Sequence, residues 1–327
     1  MPAQPRPLFL FSATLIAAAC SASALANDYP TRPITLVVAY PAGGDTDQMA
    51  RMYAEKLRQR LGQTVVVENR SGASGVIGSN YVARAKPDGY TLLVAPSSFA
   101  FATHVVKTSS EAGYHPVNDF ESIIQTVYQP LMLVANKQSG YTDVQQLLKD
   151  ARANKPLSYA SPGPGSNMHV LGEMFNKATG VNLSHVPYKG VAPAVQDVMG
   201  GHVPLTWMSY GPVEPYVKSG EMKVLLIASD DRTELAPDAP SMKEVGISES
   251  NVESWQGIFA PKGTPPAIIN KLNATMREIV QEQDVIDKMR LYGAFPRFGA
   301  PEELTKLVAH EYQLFGKVIQ DIGIKVE

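Results

Sequence analysis

The chain has 327 residues, a formal net charge of −2, 18% charged and 44% hydrophobic residues, with 25 glycines, 25 prolines and one cysteine. The balanced charge excludes a chain built to neutralise nucleic-acid phosphates, and the apolar content excludes a disordered one. One cysteine excludes an internal disulfide framework and any multi-cysteine metal centre, and the length suggests about two domains.

Residues 1–26 read as an address. One charge, Arg6, precedes an apolar run from Leu8 to Ala19, and Ala24-Leu25-Ala26 fits the small-x-small cleavage pattern of a secretory signal peptide. The run is too short for a bilayer core of ~30 Å, and no later stretch reaches the ~18–20 apolar residues of a spanning helix. Cleavage after Ala26 predicts an exported chain beginning at Asn27. Cys20 has a second reading, as the lipidated first residue of a lipoprotein. That reading usually needs Leu three residues earlier, where Ala17 stands.

Beyond this segment, strand and helix patterns alternate with short connections. Ile34–Ala39 is apolar and β-branched, as in a buried strand. A helix is predicted from Asp47 to Leu61, with Met49, Met52, Tyr53, Leu57 and Leu61 on one side and Gly62 closing it. Val65–Glu68 predicts a strand, Val76–Ala85 a helix and Thr91–Ala95 a strand. This is βαβαβ, the first half of a doubly wound parallel sheet. The alternation resumes with strands at 131–135, 157–160, 183–186, 205–208 and 224–228. Helices between them are predicted over 142–154 (capped by Thr142), 166–179 (stopped by Gly180), 192–199 and 213–219. A second α/β unit thus occupies 126–228. The tail predicts a strand at 255–260 and helices at 265–282, 284–291 and 301–321.

Two glycine-rich loops lie between a predicted strand and the following helix, at the edge where open α/β sheets bind ligands. The first runs Tyr40-Pro-Ala42-Gly43-Gly44-Asp45-Thr46-Asp47. Its glycines let backbone N–H groups approach a ligand, and Thr46 and Asp47 are placed to cap the helix. A helix N-terminus favours an anion by roughly 0.3–1 kcal/mol. The second loop, Ser161-Pro-Gly163-Pro-Gly165-Ser166-Asn167-Met-His169, adds hydroxyl and amide donors. Either loop alone also reads as a tight turn that needs glycine only for its geometry. A facing pair would hold a small anion by several hydrogen bonds. Neither matches a nucleotide motif, so the loops suit a carboxylate better than a phosphate chain.

Several segments then carry a resemblance. They are Tyr29-Pro-Thr-Arg-Pro-Ile-Thr-Leu-Val-Val, Pro41-Ala-Gly-Gly-x-Thr-Asp47, Leu61-Gly-Gln-x-Val-Val-Val-Glu-Asn-Arg70, Pro87-Asp-Gly-Tyr-Thr-Leu-Leu93, His185-Val-Pro-Tyr-Lys-Gly190 and Trp255-x-Gly-x-Phe-Ala-Pro261. Together they resemble the tripartite tricarboxylate transporter substrate-binding family, also called the Bug family, over essentially the whole mature chain. The resemblance implies an α/β, two-lobed, type II-like periplasmic binding protein, each lobe a doubly wound sheet with flanking helices. Lobe one would comprise 27–125 and 229–327, and lobe two 126–228, with hinge crossings near Glu121–Val127 and Leu225–Ser229. It implies no cofactor, no metal and no catalysis. It further implies a monomer that delivers a small organic carboxylate to the permease subunits of a tripartite tricarboxylate-type transporter. Some relatives act with a sensor kinase instead.

The implied ligand contacts are Tyr40, Ala42, Gly43, Gly44, Thr46 and Asp47 of the first loop, and Ser97, Ser98 and Phe99 after the third strand. The second loop supplies Ser161, Gly163, Gly165, Ser166, Asn167 and His169, and Tyr188, Met208 and Ser209 complete the set. Two departures matter. Asp45 stands where the family commonly has a small residue, and its carboxylate would repel an anionic ligand unless it points outward or meets a cation. Trp207-Met-Ser-Tyr210 replaces a frequent Asp-Asn pair. Phe99, Phe101, Trp207, Met208 and Tyr210 therefore either line an apolar or aromatic pocket or form ordinary core. The first reading favours an aromatic or otherwise apolar-bodied carboxylate, with a dicarboxylate also expected.

The six histidines make no His-x3-His pair of metal type. His169 reads either as a hydrogen bonder near the ligand or as helix packing. No G-x-S-x-G elbow is present for a serine hydrolase. Lys189 reads as a partner for a ligand carboxylate or as a solvated surface lysine.

Overall fold

The computed structural model describes residues 29–106, 113–247 and 252–323; the expected signal segment and Cys20 lie outside them. The first lobe opens with β1 (Ile34–Val38), α1 (Asp45–Leu61), β2 (Val65–Asn69), α2 (Val76–Ala83) and β3 (Thr91–Pro96). A 3₁₀ turn at Ser97–Ala100, a short helix α3 (Ala102–Val105) and β4 (Phe120–Gln129) follow. The second lobe holds β5 (Leu131–Asn136), α4 (Val144–Arg152), β6 (Ser158–Ser161), α5 (Asn167–Thr179) and β7 (Ser184–Pro187). It continues through α6 (Val191–Met199), β8 (Leu205–Ser209), α7 (Tyr210–Lys218) and β9 (Met222–Ile227). The chain then returns with β10 (Ser254–Pro261), α8 (Pro266–Ile279), α9 (Gln283–Leu291), β11 (Phe295–Pro296) and α10 (Pro301–Ile322).

The strands form two sheets, ordered β11-β4-β10-β3-β1-β2 and β7-β6-β8-β5-β9. The first half is wound as the pattern predicts, with β1 parallel to β2 and β3. The whole is not parallel, however. β10 runs antiparallel to both β3 and β4, and β5 antiparallel to both β8 and β9. The segment Glu121–Val127, expected as a hinge crossing, lies inside β4, held there by its ladder to β10. The chain changes sheets at Pro130, between β4 and β5, and leaves the second sheet after Ile227. At that junction Ala228 N–H donates to Leu131 O (2.8 Å), so the two crossings run side by side.

Local signals account for most boundaries. Gly62 and Gly180 end α1 and α5 in the left-handed region, at φ 67° and 70°. α4 starts later than expected because Asp143, not Thr142, caps it by accepting the Gln146 N–H.

The first sheet buries both faces. On one, Leu36, Val38, Leu92 and Ile258 pack against Met49, Tyr53 and Leu57 of α1 and Leu272 and Met276 of α8. On the other, Val37, Leu93 and Phe259 join Leu304, Val308 and Phe315 of α10, and this apolar cluster continues into the second lobe. Among the described residues no helix is long and apolar enough to cross a membrane.

Within this core, Trp255 Nε1 donates to Glu311 Oε1 (2.9 Å), while Glu311 Oε2 is buried without a partner. Burial pushes the Glu311 carboxyl up to about 8, against the Trp255 bond that opposes it. The folded chain therefore holds a proton that the unfolded chain releases near 4.5. Stability falls as pH rises from about 4.5 to 8 on account of this group. Denaturant titrations across that range should show the decline in the wild type and a flatter profile in Glu311→Gln, which keeps an acceptor for Trp255.

Candidate functional site

The first loop leaves the C-terminal end of β1, and Gly43 turns it at φ +87°, a conformation that favours glycine. Residues 41–44 are exposed, and Gly44 precedes α1 without any side-chain cap. The first-turn N–H groups of α1 therefore lack both intrahelical partners and a capping side chain. Thr46 is buried and does not cap.

Asp47, expected to cap the helix, does not cap it. Its Oδ2 accepts the Gly43 N–H (2.9 Å) and Arg51 Nε (3.0 Å), and its Oδ1 accepts Asn69 Nδ2 (2.9 Å). Burial alone would raise this carboxyl, but the bonds from Arg51, Gly43 and Asn69 outweigh it and hold it below the usual range. Asn69 Nδ2 also donates to Tyr40 O (3.1 Å). Asp47 thus fastens the loop to the end of β2. Asp45 next to it is half-buried, and burial raises its carboxyl.

Tyr40 reaches the neighbouring segments. Its hydroxyl lies 2.6 Å from Ser98 Oγ and donates to Ser74 O (3.1 Å), and burial pushes it up to about 12. The 3₁₀ turn that carries Ser97 and Ser98 is therefore tied to the first loop.

The second loop is largely satisfied within itself. Ser161 Oγ accepts the Gly163 N–H (3.2 Å) and lies 2.6 Å from His185 Nε2. Ser166 caps α5 by accepting the His169 N–H and donates to Gly163 O (2.8 Å). The Gly165 N–H goes to His169 Nδ1 (3.0 Å). The N–H groups of Gly163 and Gly165, expected as ligand donors, are thus committed internally. The first turn of α5, from Asn167 to Val170, is buried where it meets the first lobe.

Two contacts join the lobes here. Asn167 Nδ2 donates to Ser97 Oγ (3.2 Å) across the cleft. Gly165, at φ +71°, faces Val105 so closely that a Cβ would sit 2.3 Å from Val105 Cγ1. The sequence-derived set is therefore brought together around Tyr40, Gly43, Gly44, Ser97, Ser98, Gly165, Ser166 and Asn167, with Ala42 exposed at the loop tip.

The expected aromatic pocket is not formed. Phe99 stacks on Tyr114 (5.1 Å) and meets Phe120 and Phe259 edge-on or tilted. Phe101 packs on Phe315, and Trp207 on Phe175. Trp207, Met208 and Ser209 lie on β8, the middle strand of its sheet, where every side chain is buried. Tyr210 is buried at the start of α7. Tyr188 donates its hydroxyl to Asp197, and Lys189 is exposed. A separate open groove of about 650 Å³ beside the crossings is lined by Tyr128, Pro130, Arg232, Phe295 and Arg297 among others, and shares no residue with either loop.

Sequence reasoning missed Asn69, Arg51 and His185. Asn69 was within reach of inference, because β1 and β2 pair in parallel and Val38 registers with Asn69, one step from the first loop.

A family model described as "Tripartite tricarboxylate transporter family receptor" matches residues 49–324. BugT of Bordetella pertussis (strain Tohama I) is 35% identical over 323 residues, covering 98% of this chain and 99% of that protein. The periplasmic binding protein BugD superposes with a TM-score of 0.79 at 35% identity, covering 91% of this chain and 99% of its own. A protein of R. palustris solved with adipate superposes at 0.81 with 34% identity and the same coverage. These relatives are binding proteins, and the fold is that of a two-lobed periplasmic binding protein.

Removing the Asp47 carboxylate frees the Gly43 N–H and the Asn69 amide. Asp47→Ala should cost about 1.5–3 kcal/mol in denaturant unfolding, the range for hydrogen bonds to a charged group. Gly165→Ala should push the lobes apart at Val105, read as a larger radius of gyration in X-ray scattering. Adding Val105→Ala should reverse that expansion while leaving the φ strain in the unfolding free energy.

Proposed function

The chain belongs to the tripartite tricarboxylate transporter receptor family, and on that premise we propose that it captures a small organic carboxylate between its lobes and delivers it to a membrane permease. The ligand would be held by the first-turn N–H groups of α1 and α5, with Ser97, Ser98 and the Asn167 amide completing the donor set. The observation that carries this reading is the Asn167–Ser97 bond, which joins the start of α5 to the 3₁₀ turn after β3, the turn that Ser98 ties to Tyr40 of the first loop. Helix starts of this kind bind anions through free N–H groups and the helix dipole. Adipate in a relative 34% identical supports a carboxylate of that class, and a dicarboxylate in particular. The burial of Phe99, Trp207 and Met208 removes the support for an aromatic-lined cleft. Capture proceeds by lobe closure, since a ligand that touches both lobes favours the closed state by its differential affinity. Export by the leader segment and the periplasmic relatives support a periplasmic location.

Gly44 offers the direct test. Its φ is −78°, and a Cβ there would meet only Pro41 O at 3.7 Å, so neither backbone nor packing demands glycine. A thermal-shift screen of mono- and dicarboxylates, adipate included, should show stabilisation growing as RT ln(1 + [L]/Kd), about 2.7 kcal/mol at 100 Kd. Gly44→Leu should keep the melting temperature of the free protein and lose ~100-fold or more in affinity, about 2.7 kcal/mol. Unchanged affinity in Gly44→Leu, or no response to any carboxylate, overturns the reading. Transport is tested separately, by loss of uptake of the same carboxylate in cells lacking the gene.

A further inference from the structure

We infer that His169 and His185 form the positioning element of the second glycine-rich loop, and that they hold it only while His169 Nδ1 carries no proton. This rests on the reading of that loop as one half of the carboxylate clamp. Four contacts support it. The two imidazoles stack face to face, 3.7 Å between centroids and 11° between planes. His169 Nδ1 accepts the Gly165 N–H at 3.0 Å. His185 Nε2 lies 2.6 Å from Ser161 Oγ, which in turn accepts the Gly163 N–H. Each ring therefore secures one glycine of the loop, and the stack couples the two rings.

The geometry fixes the tautomer of His169. A ring nitrogen that accepts from a backbone N–H has no proton of its own, so the proton of neutral His169 resides on Nε2. Protonation would place an N–H against the Gly165 N–H, which removes the bond and sets two donors facing each other. It would also place a positive ring 3.7 Å from its neighbour. Burial lowers His169 to about 4, and burial with the charge of His169 lowers His185 to about 3, so both rings stay neutral well below ordinary pH. The ionisable neighbours leave this intact. On α5, Glu173 accepts the hydroxyl of Tyr159 from β6 (2.7 Å), and the Tyr159 ring lies 5.2 Å from His185. On α6, Asp197 is bound by Tyr188; Lys189 is exposed; and His104, on the α3 segment that faces Gly165, is bound to Tyr312 O (3.0 Å).

The role is held by a nitrogen at one place, not by ring volume. Asparagine places an oxygen acceptor near the Nδ1 position without a titrating group, whereas alanine places nothing.

The test reads the Gly165 amide in the ligand-free protein. Hydrogen-exchange protection of Gly165 should exceed that of an open loop amide by at least about tenfold, about 1.4 kcal/mol, at neutral pH. It should fall through a midpoint near 4 while the Val170 amide, bonded to Ser166 O, stays protected. Nitrogen-15 shifts should report His169 with Nδ1 unprotonated. His169→Ala should lose Gly165 protection at every pH. His169→Asn should recover most of that loss and remove the acid midpoint, which a merely space-filling role would not produce. A proton on Nδ1 at neutral pH, or full Gly165 protection in His169→Ala, overturns the inference. Adipate thermal shifts on the same variants form a separate arm: no shift in the wild type counts against the carboxylate reading alone, and the exchange data still decide the histidine pair.

Discussion

The insertion of β10 between β3 and β4 is the constraint on which the two-lobed form rests. Eight residues of the returning chain pair with β4, Gln256 to Phe259 pair with β3 as well, and all eight are buried. That ladder brings the tail back to the first lobe, seats α8 and α10 on opposite faces of the sheet, and sets the two crossings side by side at Leu131 and Ala228. With the crossings adjacent, the two lobes are joined along one line. An interior strand also leaves little freedom for the tail to detach without global unfolding, because its apolar contacts are shared with both faces.

The cleft itself separates two kinds of backbone donor. N–H groups in the glycine turns are consumed locally, Gly43 by Asp47, Gly163 by Ser161 and Gly165 by His169. At the helix starts, α1 has no side-chain cap, and Ser166 takes only the His169 N–H of α5. The division has a physical reason: a glycine turn with free donors on both sides would have no single geometry, whereas bonds to side chains anchored in the sheet fix it. The side chains of Asp47, Ser161 and His169, read in the sequence as ligand contacts, each bind a backbone N–H of their own loop.

This explains how far the sequence could be read. The strands and helices from Ile34 to Pro96 were legible because their periodicity and their terminal glycines agree. The antiparallel β4 was not, since Phe120–Gln129 has no turn signal to separate it from β5 except Pro130. Both site loops were visible as glycine between strand and helix. Their internal wiring was not, because Asp47 meets Asn69 only through the β1–β2 register, and His169 meets His185 only because β7 pairs with β6 and sets His185 opposite Tyr159. The choice between pocket and core for the aromatic residues was closed to the sequence for a related reason. Trp207 and Met208 point to opposite faces of β8, and only the layers packed on both sides reveal that neither face opens to the cleft.

The contact between Val105 and Gly165 sets a mechanical stop. A left-handed glycine meeting a β-branched side chain leaves no slack on either side, for Gly165 has no rotamer to yield and Val105 has few. At that edge the lobes therefore meet through the Gly165 backbone and the Val105 side chain. One glycine and one valine thus form a contact between the lobes that involves none of the polar groups of the two loops.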